Sequence, residues 1–168
     1  IDGRPVKFAV LKVRNASGRP RRLSATGYME WVLGSLRPKS SMHVVTEIDR
    51  DSGALLARNA YNPEFAGKVA FFDVDDVTRT LSGDRAEFIG RNGTLGKPAA
   101  LARARLSGKV GAAMDPCAAI QVPFELAEGA AREIIFRIGV GRGADDASRL
   151  VQRLRKSGTA RAALEAVR

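Results

Sequence analysis

The order of apolar and polar residues predicts that β-strands make up the first three-quarters of the chain. In the first such segment, VKFAVLKVRN, Val6 and Phe8 face one side of the strand while Leu11 faces the other. Apolar side chains on both faces are typical of a strand that is covered on both sides, as in a stacked sheet. Strands are predicted over residues 6–15, 21–33, 42–49, 54–59, 68–75, 77–82, 119–126 and 131–140.

Turn-forming residues separate these strands. The tetrapeptide RDSG joins the third and fourth predicted strands, and Gly53 can adopt the positive φ that such a turn requires. A further strand fragment is expected within residues 84–93, where it ends at an Asn-Gly turn. Helix-forming residues follow Pro98, so a short helix is predicted over residues 97–106.

Helical periodicity replaces alternation after the last predicted strand. A helix is predicted over residues 143–158, with acids in its first turn and bases near its end, an order that complements the helix dipole. A second helix is expected from Thr159 onward. We therefore expect a β-sandwich domain over residues 1–141 and a helical linker over residues 142–168. The predicted fold class is all-β, with two stacked antiparallel sheets and a short C-terminal helical tail.

Length and composition narrow the chemistry. A chain of 168 residues suits one domain with a sizeable core, and because it opens at Ile1 and stops within a helical pattern, we expect it to be a segment of a longer protein. No apolar run approaches the roughly 20 residues of a membrane span.

The single cysteine, Cys117, excludes an internal disulfide and is predicted to be a small buried residue. With His43 as the sole histidine, no zinc site or Cys–His nucleophile can be assembled, so we expect no metal and no cofactor.

The formal net charge of +10 raises the question of a nucleic-acid partner. The basic residues are spread along the whole chain, and the densest group, Arg19, Arg21 and Arg22, has no aromatic residues between its members. A phosphate-binding surface normally concentrates its cations on one element or face. We therefore expect no nucleic-acid partner, and a basic adaptor for nucleic acid or acidic surfaces stays as a third functional hypothesis.

Paired acids follow the aromatic run in AFFDVDD, and sugar-cleaving enzymes use paired acids. Asp73 and Asp75 would project side by side from one strand, with their Cα atoms about 6.6 Å apart, whereas catalytic carboxylates flank a sugar from different elements. We expect Val74 to point inward while Asp73, Asp75 and Asp76 end the strand in water. No catalytic residue is assigned.

Two predicted loops carry side chains suited to carbohydrate. Planar polar groups can bind pairs of sugar hydroxyls, and an aromatic ring can cover the C–H face of a sugar. Candidates for contact with carbohydrate or a neighbouring domain are Arg58, Asn59, Tyr61, Asn62, Arg91 and Asn92. The alternative is a purely architectural role, since Asn-Pro and Asn-Gly are ordinary turn sequences. Tyr28 and Trp31 are predicted to pack in the core.

Four longer segments carry a family resemblance. They read GYMEWVLGSLRPKSSMHVVTEID, ARNAYNPEFAGKVAFFDVDD, DRAEFIGRNGTLGKPAAL and DPCAAIQVPFEL. They resemble the N-terminal β-sandwich in the phosphorylase-like region of the cyclic β-1,2-glucan synthases. That region belongs to glycoside hydrolase family 94, formerly glycosyltransferase family 36, together with the cellobiose and chitobiose phosphorylases. The resemblance covers essentially the whole chain.

The resemblance implies a galactose-mutarotase-like antiparallel β-supersandwich, followed by a helical linker toward an (α/α)6 barrel. It also implies that the barrel, in the same parent chain, carries the general acid and most of the sugar and phosphate site. The implied partners are that barrel, β-1,2-glucan and, in a homodimer, a second copy of the chain. The parent would be a bacterial inner-membrane protein, with this region soluble and cytoplasmic.

These expectations define the two other functional hypotheses. In the first, the chain is a non-catalytic sandwich domain of an enzyme of cyclic β-1,2-glucan synthesis, and it scaffolds and partly lines the site of glucan phosphorolysis and chain-length control. The parent would be a glycosyltransferase and glycoside phosphorylase, while this segment alone is expected to be inactive. In the second hypothesis, the chain is an autonomous carbohydrate-binding module.

Overall fold

Two antiparallel sheets form the body of the chain in the computed structural model, which describes residues 5–166. Their strands are β1 Val6–Arg14, β2 Arg21–Glu30, β3 Val44–Ile48, β4 Leu55–Asn59, β5 Val69–Val74, β6 Thr80–Asp84, β7 Pro116–Leu126 and β8 Ala131–Gly141. The larger sheet has the strand order β1-β8-β5-β4-β3, and the smaller sheet has the order β2-β7-β6. The predicted all-β fold of two stacked antiparallel sheets is confirmed.

Short helices connect and follow these strands. Within the described residues they are α1 Arg37–Ser40, α2 Arg85–Ile89, α3 Ala144–Leu154 and α4 Thr159–Glu165, with 3-10 turns at Ser41–His43, Pro63–Phe65 and Ala99–Ala102. In α3, Asp145 and Asp146 occupy the first turn and Arg153 the last turn, as the charge order predicts. The short C-terminal helical tail is therefore confirmed.

The main core lies between the two sheets. Phe72 of β5 and Phe136 of β8 stack with their ring centroids 5.8 Å apart, and they face Ile120 and Val122 of β7, which are fully buried. Trp31 follows β2 and joins this core with 2% of its surface exposed, as predicted. Each large apolar side chain buried in this way contributes roughly 1.5–3 kcal/mol.

A helix covers part of the outer face of each sheet. On the larger sheet, Leu150 and Val151 of α3 pack against Phe71. On the smaller sheet, Phe88 of α2 packs in a cluster with Cys117, which is buried as predicted. Strands in the middle of both sheets therefore carry apolar residues on both faces, because both faces are covered.

The first strand does not have the two covered faces that its sequence predicts. Val10 is 45% exposed and Leu11 is 41% exposed. The reason is position, since β1 is the outermost strand of the five-stranded sheet. Leu11 faces the three-stranded sheet, which is too narrow to cover it, and Val10 faces the opposite side, where the cluster that contains α3 includes Val6 and Phe8 but not Val10. Apolar alternation shows that a strand has two apolar faces, but it does not show whether another layer covers each face.

The strand fragment predicted within residues 84–93 is wrong, because α2 forms there instead. Asp84 caps this helix, since its Oδ1 accepts a hydrogen bond from Ala86 N at 3.0 Å. Gly90 follows the helix with a φ of 85°, a conformation that favours glycine. The cap, rather than the apolar residues inside the segment, determines its structure.

The helix predicted over residues 97–106 is also wrong, except for the single 3-10 turn at Ala99–Ala102. The chain beyond this turn runs beside β6, where Leu106 N donates to Thr80 Oγ1 at 3.0 Å. A contact with a strand that lies earlier in the sequence therefore replaces the local helical hydrogen bonds that the helix-forming residues favour.

Gly27 of β2 is required by the close approach of the two sheets. A Cβ atom at this position would lie 2.6 Å from Phe136 Cδ1 and 2.7 Å from Phe72 Cζ. We expect Gly27→Ala to lower the free energy of unfolding by about 1–3 kcal/mol, because the two rings must shift. Ser24→Ala, on the exposed face of the same strand, should change it by less than about 0.5 kcal/mol. Urea unfolding followed by tryptophan fluorescence measures both, and equal stability of the two variants would contradict this packing.

Candidate functional site

Two clefts open at opposite ends of the sandwich. The first, called the Asn59 cleft, lies where β4 ends and β5 begins and has a volume of about 550 Å3. The second, called the Arg79 cleft, lies where β3 ends and β6 begins and has a volume of about 460 Å3. The Asn59 cleft is lined by Pro5, Leu33, Gly34, Asn59, Phe65, Lys68, Ala70, Val140, Gly141, Arg142 and Asp146. The Arg79 cleft is lined by Ile48, Gly53, Val77, Arg79, Thr80, Leu81, Arg105, Leu106, Ser107 and Gly108.

Two asparagines shape the loop beside the first cleft. Asn59 is buried, its Nδ2 donates to Leu33 O at 2.9 Å, and its Oδ1 accepts from Tyr61 N at 3.1 Å. Asn62 Oδ1 accepts from Glu64 N at 3.0 Å and so caps the 3-10 turn that follows. These contacts fix the backbone on both sides of Tyr61 and hold that side chain at the surface.

Tyr61 presents an aromatic face to solvent. Its ring stacks on His43 with the centroids 4.1 Å apart and 12° between the ring planes, yet Tyr61 remains 75% exposed. The stack supports one face of the ring and leaves the other face accessible. Arg58, at the end of β4, is also exposed. An exposed aromatic ring that is supported on one side is a surface on which the C–H face of a sugar can stack.

Arg91 and Asn92 occupy a different region of the fold. Both are exposed and follow α2, which lies on the smaller sheet. Arg58, Asn59, Tyr61 and Asn62 instead extend from the end of β4 in the larger sheet. The structure therefore divides the six sequence-predicted residues into two groups on separate surfaces.

Asp73 is buried, which contradicts the prediction that it ends the strand in water. Its side chain has no exposed surface, and Arg155 donates to both carboxylate oxygens, at 2.5 and 3.1 Å. Arg137, directly opposite on β8 and 2% exposed, lies 3.6 Å from the same carboxylate. The prediction failed because both cations come from segments that lie far away in the sequence.

The two acids that follow are also paired with arginines. Asp75 Oδ2 accepts a hydrogen bond from Arg137 Nη2 at 3.0 Å, and Asp76 pairs with Arg132. Asp75 lies in water at the strand end, as predicted, with 43% of its side chain exposed. Asp76 is more enclosed, with 14% of its side chain exposed. The three acids of the AFFDVDD segment therefore form ion pairs with arginine side chains of the domain itself.

The group formed by Asp73, Arg137 and Arg155, called the buried ion cluster, fastens the end of α3 to the larger sheet. Burial raises the pKa of Asp73, while the hydrogen bonds from Arg155 act against that shift. Burial is also the largest influence on Arg155 and lowers the pKa of its guanidinium, but the hydrogen bonds to Asp73 and the charges of nearby carboxylates together outweigh it and raise that pKa. Arg137 Nε also donates to Leu154 O at 3.1 Å, a carbonyl left without a helical partner at the end of α3.

Sequence reasoning missed a second acid–arginine cluster at the end of β2. Glu30 accepts hydrogen bonds from Arg85 Nε at 2.7 Å and Tyr28 Oη at 2.9 Å, and it pairs with Arg37 at 3.0 Å. Asp115 pairs with the same two arginines. Burial alone would raise the pKa of Glu30, but the hydrogen bonds from Arg85 and Tyr28 outweigh it and lower the pKa. No local pattern could have revealed this cluster, because its members come from four separate segments.

The cysteine and the histidine do not form a nucleophilic pair. Burial raises the pKa of Cys117 to about 12, so little thiolate exists at neutral pH. His43 lies instead against the ring of Tyr61. Within residues 5–166, no group of three or more His, Cys, Asp or Glu side chains could hold a metal ion. In the same part of the chain, the helices are too short or too polar to cross a lipid bilayer.

Comparison with known proteins identifies the class of domain. The model of the glycosyl hydrolase 94 supersandwich domain matches residues 2–157, which include both sheets and α3. The chain is therefore a supersandwich domain of a family of carbohydrate-active enzymes. It belongs to the glycosyl hydrolase 94 family, as its resemblance implied.

Two relatives illustrate the context in which such a domain occurs. The cyclic β-(1,2)-glucan synthase NdvB of Rhizobium meliloti is 33% identical over 165 residues, which are 98% of this chain and 6% of that protein. The N,N'-diacetylchitobiose phosphorylase of Vibrio furnissii is 26% identical over 141 residues, which are 79% of this chain and 17% of the phosphorylase. The chain spans a small part of the length of either relative.

Removing Asp73 should be far more damaging than removing Asp75. Asp73→Ala leaves Arg137 as a buried cation without its buried counterion, so we expect the free energy of unfolding to fall by about 3–5 kcal/mol. Asp75→Ala, the matched control, removes a hydrogen bond from Arg137 but leaves Asp73 as its buried counterion, so it should lower the free energy of unfolding by only about 1–2 kcal/mol. Urea unfolding followed by circular dichroism measures both values. Similar losses in the two variants would contradict the structural role of the buried ion cluster.

Proposed function

We propose that this chain is a non-catalytic sandwich domain of a carbohydrate-active enzyme of cyclic β-1,2-glucan synthesis. In this role it scaffolds, and partly lines, the site where a catalytic neighbour shortens glucan chains by phosphorolysis and so sets their length. Similarity to a glucan synthase over nearly the whole chain, and to a chitobiose phosphorylase over most of it, supports this proposal.

The observation that carries the proposal is that neither cleft offers a pair of free acids. Cleavage of a glycosidic bond requires a proton donor beside the sugar, and hydrolytic enzymes use two opposed carboxyl groups. The lining of the Arg79 cleft, in the described part of the chain, includes no carboxylate. The Asn59 cleft includes Asp146, whose Oδ2 accepts a hydrogen bond from Arg142 N at 2.9 Å. The domain is therefore better suited to support than to bond cleavage.

The C-terminal helices provide the proposed connection to a catalytic neighbour. We assign residues 1–141 to the sandwich domain and residues 142–168 to a linker toward an (α/α)6 barrel of the same parent chain. In support, α4 has no buried residue, and its Leu164 is 59% exposed. The preceding helix α3 packs on the larger sheet, so the linker would begin as part of the sandwich. A homodimer, and a parent enzyme at the bacterial inner membrane with this domain in the cytoplasm, belong to the same proposal.

The isolated chain should not cleave glucan. Incubated with linear β-1,2-glucan and inorganic phosphate, the purified chain is expected to release no glucose 1-phosphate above a blank without protein. The reason is that the Arg79 cleft has no carboxyl group, while the one in the Asn59 cleft, Asp146, accepts a hydrogen bond from Arg142 N. A catalytically active phosphorylase of the same family, assayed in parallel with its own substrate, verifies detection of the sugar phosphate. Turnover that co-purifies with the folded chain would overturn the assignment of the chemistry to a neighbouring domain.

A second candidate function is an autonomous carbohydrate-binding module, and the exposed ring of Tyr61 favours it. Its stack on His43 holds the ring in place before any ligand arrives, so little conformational freedom is lost on binding. Arg58 and Asn62, close to Tyr61 in the chain, supply planar polar groups for sugar hydroxyls. In this function the loop would bind glucan directly, without help from a neighbouring domain.

Titration with β-1,2-glucan separates this candidate from the scaffold. If the module binds alone, amide NMR shifts should saturate and cluster around Tyr61, and Tyr61→Ala should weaken binding by about tenfold through loss of the ring contact. Tyr61→Phe is the matched control and should retain most of the affinity, because it keeps the ring. Flat titrations at millimolar sugar would dispose of the module and leave the scaffold.

A further inference from the structure

The two lateral sides of the sandwich are built differently. Gly27 of β2 lies against Phe136 of β8, while Gly83 of β6 lies against Thr46 of β3. The edge strands β1 and β2 therefore share one side, and the edge strands β3 and β6 share the other. The edge strands on the first side span nine and ten residues, whereas those on the second side span five each.

The side formed by β3 and β6 is closed by the chain itself. Gly108 N donates to Leu81 O at 2.8 Å and Gly83 N donates to Lys109 O at 2.7 Å, so residues 107–111 pair with β6. Thr46 N then donates to Gly111 O at 3.0 Å, which joins the same segment to β3. One segment thus occupies backbone groups of both edges, which is a common way of protecting edge strands.

Within residues 5–166, no segment covers the side formed by β1 and β2, and apolar residues of the interlayer face are exposed there. Leu11 of β1 is 41% exposed although Ile134, its neighbour on β8, is 4% exposed. Leu23 of β2 is 37% exposed although Phe124, its neighbour on β7, is 7% exposed. The cover provided by the smaller sheet therefore ends beside β1, and there is space for one more strand next to β2.

The strands of this open side carry a net positive charge, although their cations point in different directions. By alternation along the strands, Lys7 and Arg21 share the interlayer face with Leu11 and Leu23, whereas Lys12, Arg14 and Arg22 lie on the outer faces of the two sheets. Residues 5–29 contain no Asp or Glu but carry six cations, which are Lys7, Lys12, Arg14, Arg19, Arg21 and Arg22. Within the described chain, two acids of neighbouring strands pair with them, Glu133 with Lys12 at 3.3 Å and Glu125 with Arg22 at 2.7 Å. A second copy of the chain would bring six like charges against these six, and such juxtaposition is unfavourable.

We propose that the open side, formed by β1 and β2, is a docking surface for an acidic extended segment of a neighbouring protein domain. The segment adds as a fourth strand along the free edge of β2, by main-chain hydrogen bonding. Its inward side chains are apolar and cover Ala9, Leu11 and Leu23. Its acidic side chains lie on the same outer face as Arg22 and are attracted by the net positive charge of β1 and β2. Ala9, Leu11 and Leu23 line neither cleft and lie outside the Tyr61 loop, so this proposal does not depend on the proposed function.

Two synthetic peptides test the charge and the strand pairing. The probe is a peptide of alternating glutamate and valine, and the matched control replaces each glutamate with lysine. At low ionic strength the 168-residue chain should bind the glutamate peptide at least about tenfold more tightly, and added salt should reduce the difference. The largest amide NMR shifts should fall on β2. Equal affinities, or shifts that avoid β1 and β2, would overturn the proposal.

Matched variants at the two edges test the location. Leu11→Asp should weaken binding of the glutamate peptide by at least about tenfold, because the new negative charge repels the glutamates of the peptide. Ile48 is an isoleucine on the edge strand β3, on the opposite side of the sandwich, and it is 40% exposed, as Leu11 is 41% exposed. Ile48→Asp should leave the affinity for the glutamate peptide unchanged. Ala9→Asp replaces Leu11→Asp if circular dichroism shows that the latter does not fold. If light scattering detects a dimer that Leu11→Asp dissociates, a second copy covers the surface and the proposal is wrong.

Discussion

The buried ion cluster is the interaction on which the arrangement of sheet and tail depends. A buried charge is strongly unfavourable without a partner, so Asp73 must remain between Arg137 and Arg155. Those arginines belong to β8 and to the residue that follows α3, so the cluster joins a central strand pair to the helix above it. The direction in which the chain leaves the sandwich is set by this contact together with the apolar face of α3.

The same cluster bears on function, because it removes an acid from any role in chemistry. Asp73 lies under α3 with no exposed surface, while Asp75 and Asp76 pair with arginines of β8. The carboxylates of Glu30 and Asp115 are likewise held between two arginines. Many charged side chains of this basic domain thus fix its own elements, which agrees with a supporting role in a larger enzyme.

The surfaces that remain free of such internal contacts are distinct from one another. The Tyr61 loop offers a supported aromatic ring at one end of the sandwich. The open side of the sandwich offers apolar residues and cations along two unprotected edge strands. In the two relatives the matching region is a small part of a longer protein. In such a setting, surfaces of different chemistry allow ligand contact and protein contact to be separate.

The sequence by itself determined the position of most strands, the burial of Cys117 and Trp31, and the helix beginning near Asp145, because alternation and helix-end charges are local properties. It placed Tyr61 in an exposed loop but could not reveal the stack on His43, and Arg58, which it assigned to the same loop, lies in β4. Only the tertiary structure decided that Asp73 is buried and that β1 is half uncovered. The face of a strand on which a side chain lies follows from its neighbours in sequence. Whether other residues bury that side chain, and which counterions it meets, depends on segments far along the chain that come together only when the two sheets pack.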